Sequence, residues 1–188
     1  MSKRVVVTDY SPQWLLAFEQ LKQLYAATLN GLITDIQHVG STSVPGLAAK
    51  PVIDIDIIID STHQLAPVVD KLAAIGYQHR GNLGIEGREA FKYHKETTGM
   101  ELPAHNLYVC LAGCVSLQNH LLLRNYLLAN PAAVAQYSSL KKQLAGKYRF
   151  DIDKYVEGKT AFIVDILGRC GLDAEVLKSI TEANKAPE

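Results

Sequence analysis

The stretch HVGSTSVPGLAAKPVIDIDIIID, residues 38 to 60, decides how the chain is read. Its second half, VIDIDIII (52–59), is rich in β-branched residues and reads as a strand. Side chains alternate along a strand, so Ile53, Ile55, Ile57 and Ile59 make one apolar face. Val52, Asp54, Asp56 and Ile58 make the other. At a rise of about 3.3 Å per residue the two aspartates stand about 6.6 Å apart at their Cα atoms. Carboxylates so placed can converge on one divalent cation or share two. A solvated sheet face can also carry acids. Such a face normally holds Thr, Lys or Glu, whereas Val and Ile flank these aspartates. Aspartate is a poor strand former, and two unpaired like charges repel.

Just upstream, DIQHVG reads as a strand running into Gly40-Ser41-Thr42-Ser43, with Val44-Pro45-Gly46 after it. Small residues let backbone N–H groups approach an anion, and the hydroxyls add donors. Ser/Thr/Gly clusters are common in loops. This one is followed eleven residues after Ser43 by Asp-x-Asp. One element can hold a polyphosphate and the next its magnesium.

Working outward, VVVTDY (5–10) is a short β-branched run, an edge strand or an arm. Ser11-Pro12 opens a helix carrying Trp14, Phe18, Leu21 and Tyr25 on one face, which ends at Asn30-Gly31. Thr62 to Ile75 is a second helix, with Pro67 in its first turn. Gly81, Gly84 and Gly87 mark a loop. REAFKYHK (88–95) and HNLYVCLA (105–112) are strands joined by the hairpin-type connection ETTGMELP. From Ser116 three helices follow, and the polar tail TEANKAPE is expected to fray. Strands with a helix between them and helices after them indicate an α+β class.

The totals bound the function. A chain of 188 residues can bury a sizeable core, and 48% apolar with 20% charged residues is globular. Nineteen basic and nineteen acidic residues cancel, which argues against a long nucleic-acid partner. No apolar run is long enough to span a bilayer, and the start turns polar too soon for a signal peptide, so a cytoplasmic protein without membrane contact is expected. Cys110, Cys114 and Cys170 lack metal-type spacing and read as reduced thiols.

HVGSTSVPGLAAKPVIDIDI resembles the signature of the GrpB family, and RNYLLANPAAVAQYSSLKKQLA and DKYVEGKTAFI resemble its helical half. The likeness covers roughly residues 5 to 170. Its Gly-Ser and Asp-x-Asp core is shared with the nucleotidyltransferase superfamily, the polymerase-β-like fold. The resemblance implies a small mixed sheet with flanking helices and a C-terminal helical bundle. The expected organisation is a nucleotidyltransferase-like core over 1–113 with a helical part over 114–188 packed on it as one compact unit. In some bacteria a GrpB domain is fused to dephospho-CoA kinase.

Carried onto this chain, the resemblance implies that Gly40 and Ser41 contact nucleotide phosphates and that Asp54 and Asp56 bind Mg²⁺ or Mn²⁺, arriving with the nucleotide. Ser43, Lys50 and Arg88 are further phosphate candidates; an arginine can fork onto a phosphate. The superfamily's third carboxylate belongs on a later strand, but HNLYVCLA contains no acid. His105 is the expected catalytic stand-in, with Glu89 of the neighbouring strand as the alternative. His38, His94 and His105 could also bind a transition metal. His120 and Arg124, four apart on a helix, read as a solvated face, although Arg124, Lys141 and Lys159 could reach phosphate from helices walling a cleft. The expected activity is metal-dependent transfer of a nucleoside monophosphate from a nucleoside triphosphate to a hydroxyl of a small-molecule or protein acceptor. The alternative is a non-catalytic nucleotide- or phosphometabolite-binding module linked to coenzyme A metabolism.

Overall fold

The Asp-x-Asp run forms β2 (Ile53–Ile59), the second strand of a five-stranded sheet. The structure is a computed structural model and describes residues 4–187. The strands are β1 (Asp35–Val39), β2, β3 (Tyr77–His79), β4 (Arg88–Tyr93) and β5 (His105–Leu111), in the order β1-β2-β5-β4-β3. β2 and β5 pair in parallel and the other neighbours are antiparallel, so the sheet is mixed.

Register sets which residues share a face. Ile53 pairs with His105, Asp54 with Asn106 and Asp56 with Tyr108. Arg88 pairs with Cys110, and Gln37 with Asp56. One face thus carries Asp54, Asp56, Asn106, Tyr108, Cys110 and Arg88. The opposite face carries the isoleucines with Leu107, Val109 and Phe91. Ile53, Ile55, Ile57 and Ile59 are 0–3% exposed, and each contributes about 1.5–3 kcal/mol on burial.

Two helices, α1 (Gln13–Thr28) and α2 (Leu65–Ala74), bury the stripes expected of them. Trp14, Phe18, Leu21 and Tyr25 of α1 are buried, and so are Val68 and Leu72 of α2. Pro67 is the third residue of α2, where no intrahelical N–H is lost. Phe18 stacks on His38 of β1 with centroids 4.5 Å apart. Tyr25, Tyr77 and His105 form a chain of hydrogen bonds, Tyr25 Oη to Tyr77 Oη at 2.6 Å and Tyr77 Oη to His105 Nε2 at 2.7 Å. His105 Nδ1 lies 2.6 Å from the Pro103 carbonyl, which can only accept. In the neutral ring Nδ1 therefore donates, Nε2 accepts from Tyr77, and Tyr77 accepts from Tyr25.

The connection between β4 and β5 contains a short helix, α3 (Lys95–Thr98), ended by Gly99 at φ +70°, rather than a plain hairpin loop. The run 5–10 makes one antiparallel bridge, Thr8 to Ala49, and no longer strand. Among the described residues four helices follow the sheet instead of three: α4 (Val115–Ala129), α5 (Pro131–Lys147), α6 (Ile152–Arg169) and α7 (Ala174–Ala183). The last of these takes in part of the polar tail. It is capped by Asp173, whose carboxylate accepts from the Glu175 N–H.

The chain divides into two compact units that interleave in sequence. One comprises Pro12–Ser43 and Val52–His120, and so contains the sheet. The other comprises Met1–Ser11, Val44–Pro51 and Leu121–Glu188. In the latter, Val44 and Leu47 share a core with Leu127, Val134, Tyr137 and Ile166. Tyr137 stacks on Phe162 at 4.7 Å. Gly158 of α6 lies against Leu144 of α5, where an added Cβ would meet the leucine Cδ2 at 2.5 Å.

Candidate acid site on the sheet

Asp54 and Asp56 lie on one face of β2, as strand alternation requires. Asp54 is half-buried and Asp56 is fully buried. Asn106, directly opposite Asp54, donates from Nδ2 to Asp54 Oδ1 at 2.8 Å. His120 of α4 reaches the deeper acid, Nδ1 donating to Asp56 Oδ2 at 2.7 Å. The other oxygen of that carboxylate, Oδ1, is buried without a hydrogen-bond partner.

The electrostatics follow from this pairing. Burial disfavours a charged His120 ring, but the hydrogen bond and charge of Asp56, with Asp54 behind it, outweigh burial and raise its pKa. His105 shifts the other way. Burial lowers its pKa and the Pro103 carbonyl only partly opposes that. The Tyr108 phenol is raised by burial, with Arg88 opposing and both aspartates adding to the rise.

Gly40 is held at φ +69°, and a Cβ there would fall 2.2 Å from Asp54 Oδ2. The backbone of the Gly-Ser turn is thus packed directly against the first carboxylate, an approach only glycine permits. Ser41–Ser43 form a 3-10 turn. Ser43 Oγ donates to the Gly40 carbonyl at 2.6 Å, so this hydroxyl shapes the turn. Beneath it, the Thr42 hydroxyl donates to Val52 O at 3.4 Å and accepts from His38 Nε2 at 3.0 Å. His38 therefore braces the turn.

Arg88 stands on the acid-bearing face with its guanidinium carbon 4.4 Å from the Tyr108 ring centroid. Its Nε is buried without a hydrogen-bond partner. An open cleft of about 580 Å³ is lined by Asn106, Tyr108, Ala90 and Lys92 and also by Phe91 and His105 of β4 and β5; neither aspartate lines it.

The structure therefore brings together Gly40, Ser41, Asp54, Asp56 and Arg88 within the sheet unit. His105 is on the opposite face, in register with Ile53 and bonded to Tyr77. Glu89 is on that face too, opposite Val109 and bonded to His79 Nε2 at 2.7 Å. His94 follows β4 and meets Gln78 at 3.2 Å. Lys50 belongs to the helical unit. Lys141 is buried there with Nζ 4.3 Å from the Tyr137 ring centroid, a packing role. Sequence reading missed Asn106 and His120. The alternation of HNLYVCLA placed Asn106 on a face with Tyr108 and Cys110, which was the available signal. Nothing in the helical pattern distinguished His120 from a solvated residue.

The donor set can be tested against a divalent cation. Two carboxylates supply the hard oxygens that Mg²⁺ or Mn²⁺ takes, and Asp56 Oδ1 is an orphaned buried oxygen of the right kind. Among the described residues no cluster of three or more His, Cys, Asp or Glu side chains forms a complete cage. A hard cation held by one or two carboxylates and completed by substrate phosphates suits such a partial set.

Known proteins agree with this fold. The sequence model described as GrpB protein matches residues 4–169. UPF0157 protein YqkA of Bacillus subtilis is 33% identical over 161 residues, covering 86% of this chain and 46% of that protein. The chain thus spans about half of that relative's length. The crystal structure of conserved protein GrpB from Enterococcus faecalis superposes with TM-score 0.76 at 34% identity, covering 93% of this chain and 98% of that one. A structure of the Cid1 poly(U) polymerase with MgGTP bound superposes with TM-score 0.54 at 15% identity, covering 74% of this chain and 44% of that one. That similarity is one of fold. Among the described residues no helix is long and apolar enough to cross a membrane.

Proposed function

We propose that this chain, which belongs to the GrpB family, is a metal-dependent nucleotidyltransferase that moves a nucleoside monophosphate from a nucleoside triphosphate to an acceptor hydroxyl. The observation that carries the reading is the acid pair itself: Asp54 against the Gly40 backbone, and Asp56 buried behind it with one oxygen orphaned. Leaving a buried acceptor unpaired costs about 1–3 kcal/mol. A divalent cation held by Asp56 would offset that cost.

In this reading Asp54 and Asp56 hold Mg²⁺ or Mn²⁺, which on binding with the nucleotide would neutralise charge at the attacked phosphate. The Ser41 hydroxyl and the turn's backbone N–H groups other than that of Ser43, which donates to Gly40 O, would supply donors to the phosphates. Asn106 orients the Asp54 carboxylate and His120 that of Asp56. Arg88 supplies positive charge on the same face, with Tyr108 holding its guanidinium plane. The cleft lined by Asn106 and Tyr108, the β5 residues in register with Asp54 and Asp56, has a volume that suits a nucleoside or a small acceptor. His105 has no part in this mechanism: it lies on the isoleucine face and burial favours its neutral form. Lys50 and Ser43 are likewise left out as phosphate ligands. Three free thiols suit a reducing cytoplasm, the location this reading takes.

One observation favours a second reading. The residue opposite Asp54 on β5 is Asn106, an amide that cannot take a proton from an attacking hydroxyl. A module that binds nucleotide without transferring it would tolerate that substitution. Incubation with each of the four ribonucleoside triphosphates, Mg²⁺ and a panel of small-molecule and protein acceptors separates the two. Metal-dependent release of pyrophosphate that Asp54→Asn abolishes supports transfer. Nucleotide binding without pyrophosphate across the panel supports the binding module.

A further inference from the structure

We propose that Cys110 and Cys114 are a peroxide-sensitive dithiol, in which Cys114 is oxidised first and Cys110 then closes a disulfide with it. The pair is built by the end of β5. Cys110 is buried on the acid-bearing face opposite Arg88. The chain turns through Ala112 and Gly113, the latter at φ +77°, and the Cys114 N–H returns to Leu111 O at 3.0 Å. Cys110 pairs with Arg88 and Cys114 packs on Gly87, so the turn sets both thiols at the same end of β4, with the Cys110 thiol directed to the Cys114 sulfur.

Their environments differ in the sense such a pair needs. Cys114 is half-buried, directly before α4. Its sulfur takes a hydrogen bond from Cys110 and further ones from the N–H groups of Leu117 and Ser116, so its pKa falls although burial opposes the fall. Cys110 is the donor of the pair and is buried; both effects raise its pKa. One thiol is the nucleophile and the other stays protonated until called on. Gly87, just before Arg88 of β4, packs its backbone directly against Cys114, where an added Cβ would fall 2.6 Å from the Cys114 Cβ and 3.5 Å from its Sγ.

The chemistry balances with a hydroperoxide as oxidant. The Cys114 thiolate attacks the terminal peroxide oxygen; an S–O bond forms, the O–O bond breaks, and the departing alkoxide or hydroxide takes a proton from water. Cys110 sulfur then attacks Cys114 sulfur. The S–S bond forms, the S–O bond breaks, and the oxygen leaves as water with the Cys110 proton. Two thiols lose two electrons and the peroxide gains them. The bridge would tie the residue that precedes α4 to β5, six residues before His120. This modification does not depend on the nucleotide reading.

The full chain is treated with one equivalent of hydrogen peroxide, its remaining thiols are alkylated, and it is digested with trypsin. Both cysteines fall in the single tryptic peptide 96–124. The expected result is a peptide lighter by two hydrogens and carrying no alkyl group, restored by dithiothreitol, while Cys170 alkylates fully. In Cys110→Ser, dimedone should trap a sulfenic acid at Cys114. Without oxidant, Cys114 should alkylate about tenfold faster than Cys170 at neutral pH. Retention of two alkyl groups on 96–124 while Cys170 oxidises would overturn the proposal. So would equal alkylation rates, or no dimedone adduct in the serine variant.

Discussion

Gly40 and the two aspartates carry the site at the scale of single residues. Gly40→Ala meets two costs. A non-glycine residue at φ +69° loses about 1–2 kcal/mol, and the new methyl would occupy the place of Asp54 Oδ2. Gly31 is the control, because its φ is +76° but nothing lies within 4 Å of its added Cβ. Gly40→Ala is predicted to lower Tm by several degrees more than Gly31→Ala, and to displace Asp54, as thermal melts with and without Mg²⁺ and nucleotide would show. The two histidines titrate in opposite directions. His105, lowered from 6.5, stays neutral in the folded chain while the unfolded chain takes up a proton, so its contribution is present above 6.5 and lost as pH falls below it. His120, raised from 6.5, contributes fully below that value and loses its contribution as pH rises through the folded pKa. Imidazole NMR titrations should place His105 below 6.5 and His120 above it; the reverse order would contradict the pairing with Asp56.

The elements show why part of the site was legible in the sequence and part was not. VIDIDIII declared β2 and its two faces, because alternation is local. The turn before it was equally local. The alternation of β5 was legible too, but not which of its faces aligns with the aspartates. That depends on β5 lying parallel beside β2 with Asn106 opposite Asp54, a pairing made 52 residues away. His105 was expected beside the acids and lies across the sheet for this reason. His120 joins Asp56 across 64 residues, and no helical periodicity reports such a contact. β3 has three residues, too few for a pattern. In the helical unit the close passage of α5 and α6 at Gly158 makes its own prediction. Gly158→Ala presses only on the flexible end of Leu144 and gains helix propensity, so the two nearly cancel. Gly158→Leu overpacks and should cost about 1–3 kcal/mol, readable as a lower denaturation midpoint at unchanged m-value.

On the scale of the whole molecule, nineteen charges of each sign leave no bulk attraction to a polyanion, so nucleotide affinity has to come from the acid face and its cation. Thermal denaturation tests that claim most directly. The wild type, Asp54→Asn and Asp56→Asn are melted with each ribonucleoside triphosphate, with and without Mg²⁺. Ligand binding to the folded state adds about 2.7 kcal/mol at a hundredfold excess over Kd, or several degrees for a chain of this size. The account predicts that at least one triphosphate raises Tm of the wild type only when Mg²⁺ is present, and that both variants lose the rise. No stabilisation by any triphosphate, or the same Mg²⁺-dependent rise in the variants, would contradict it.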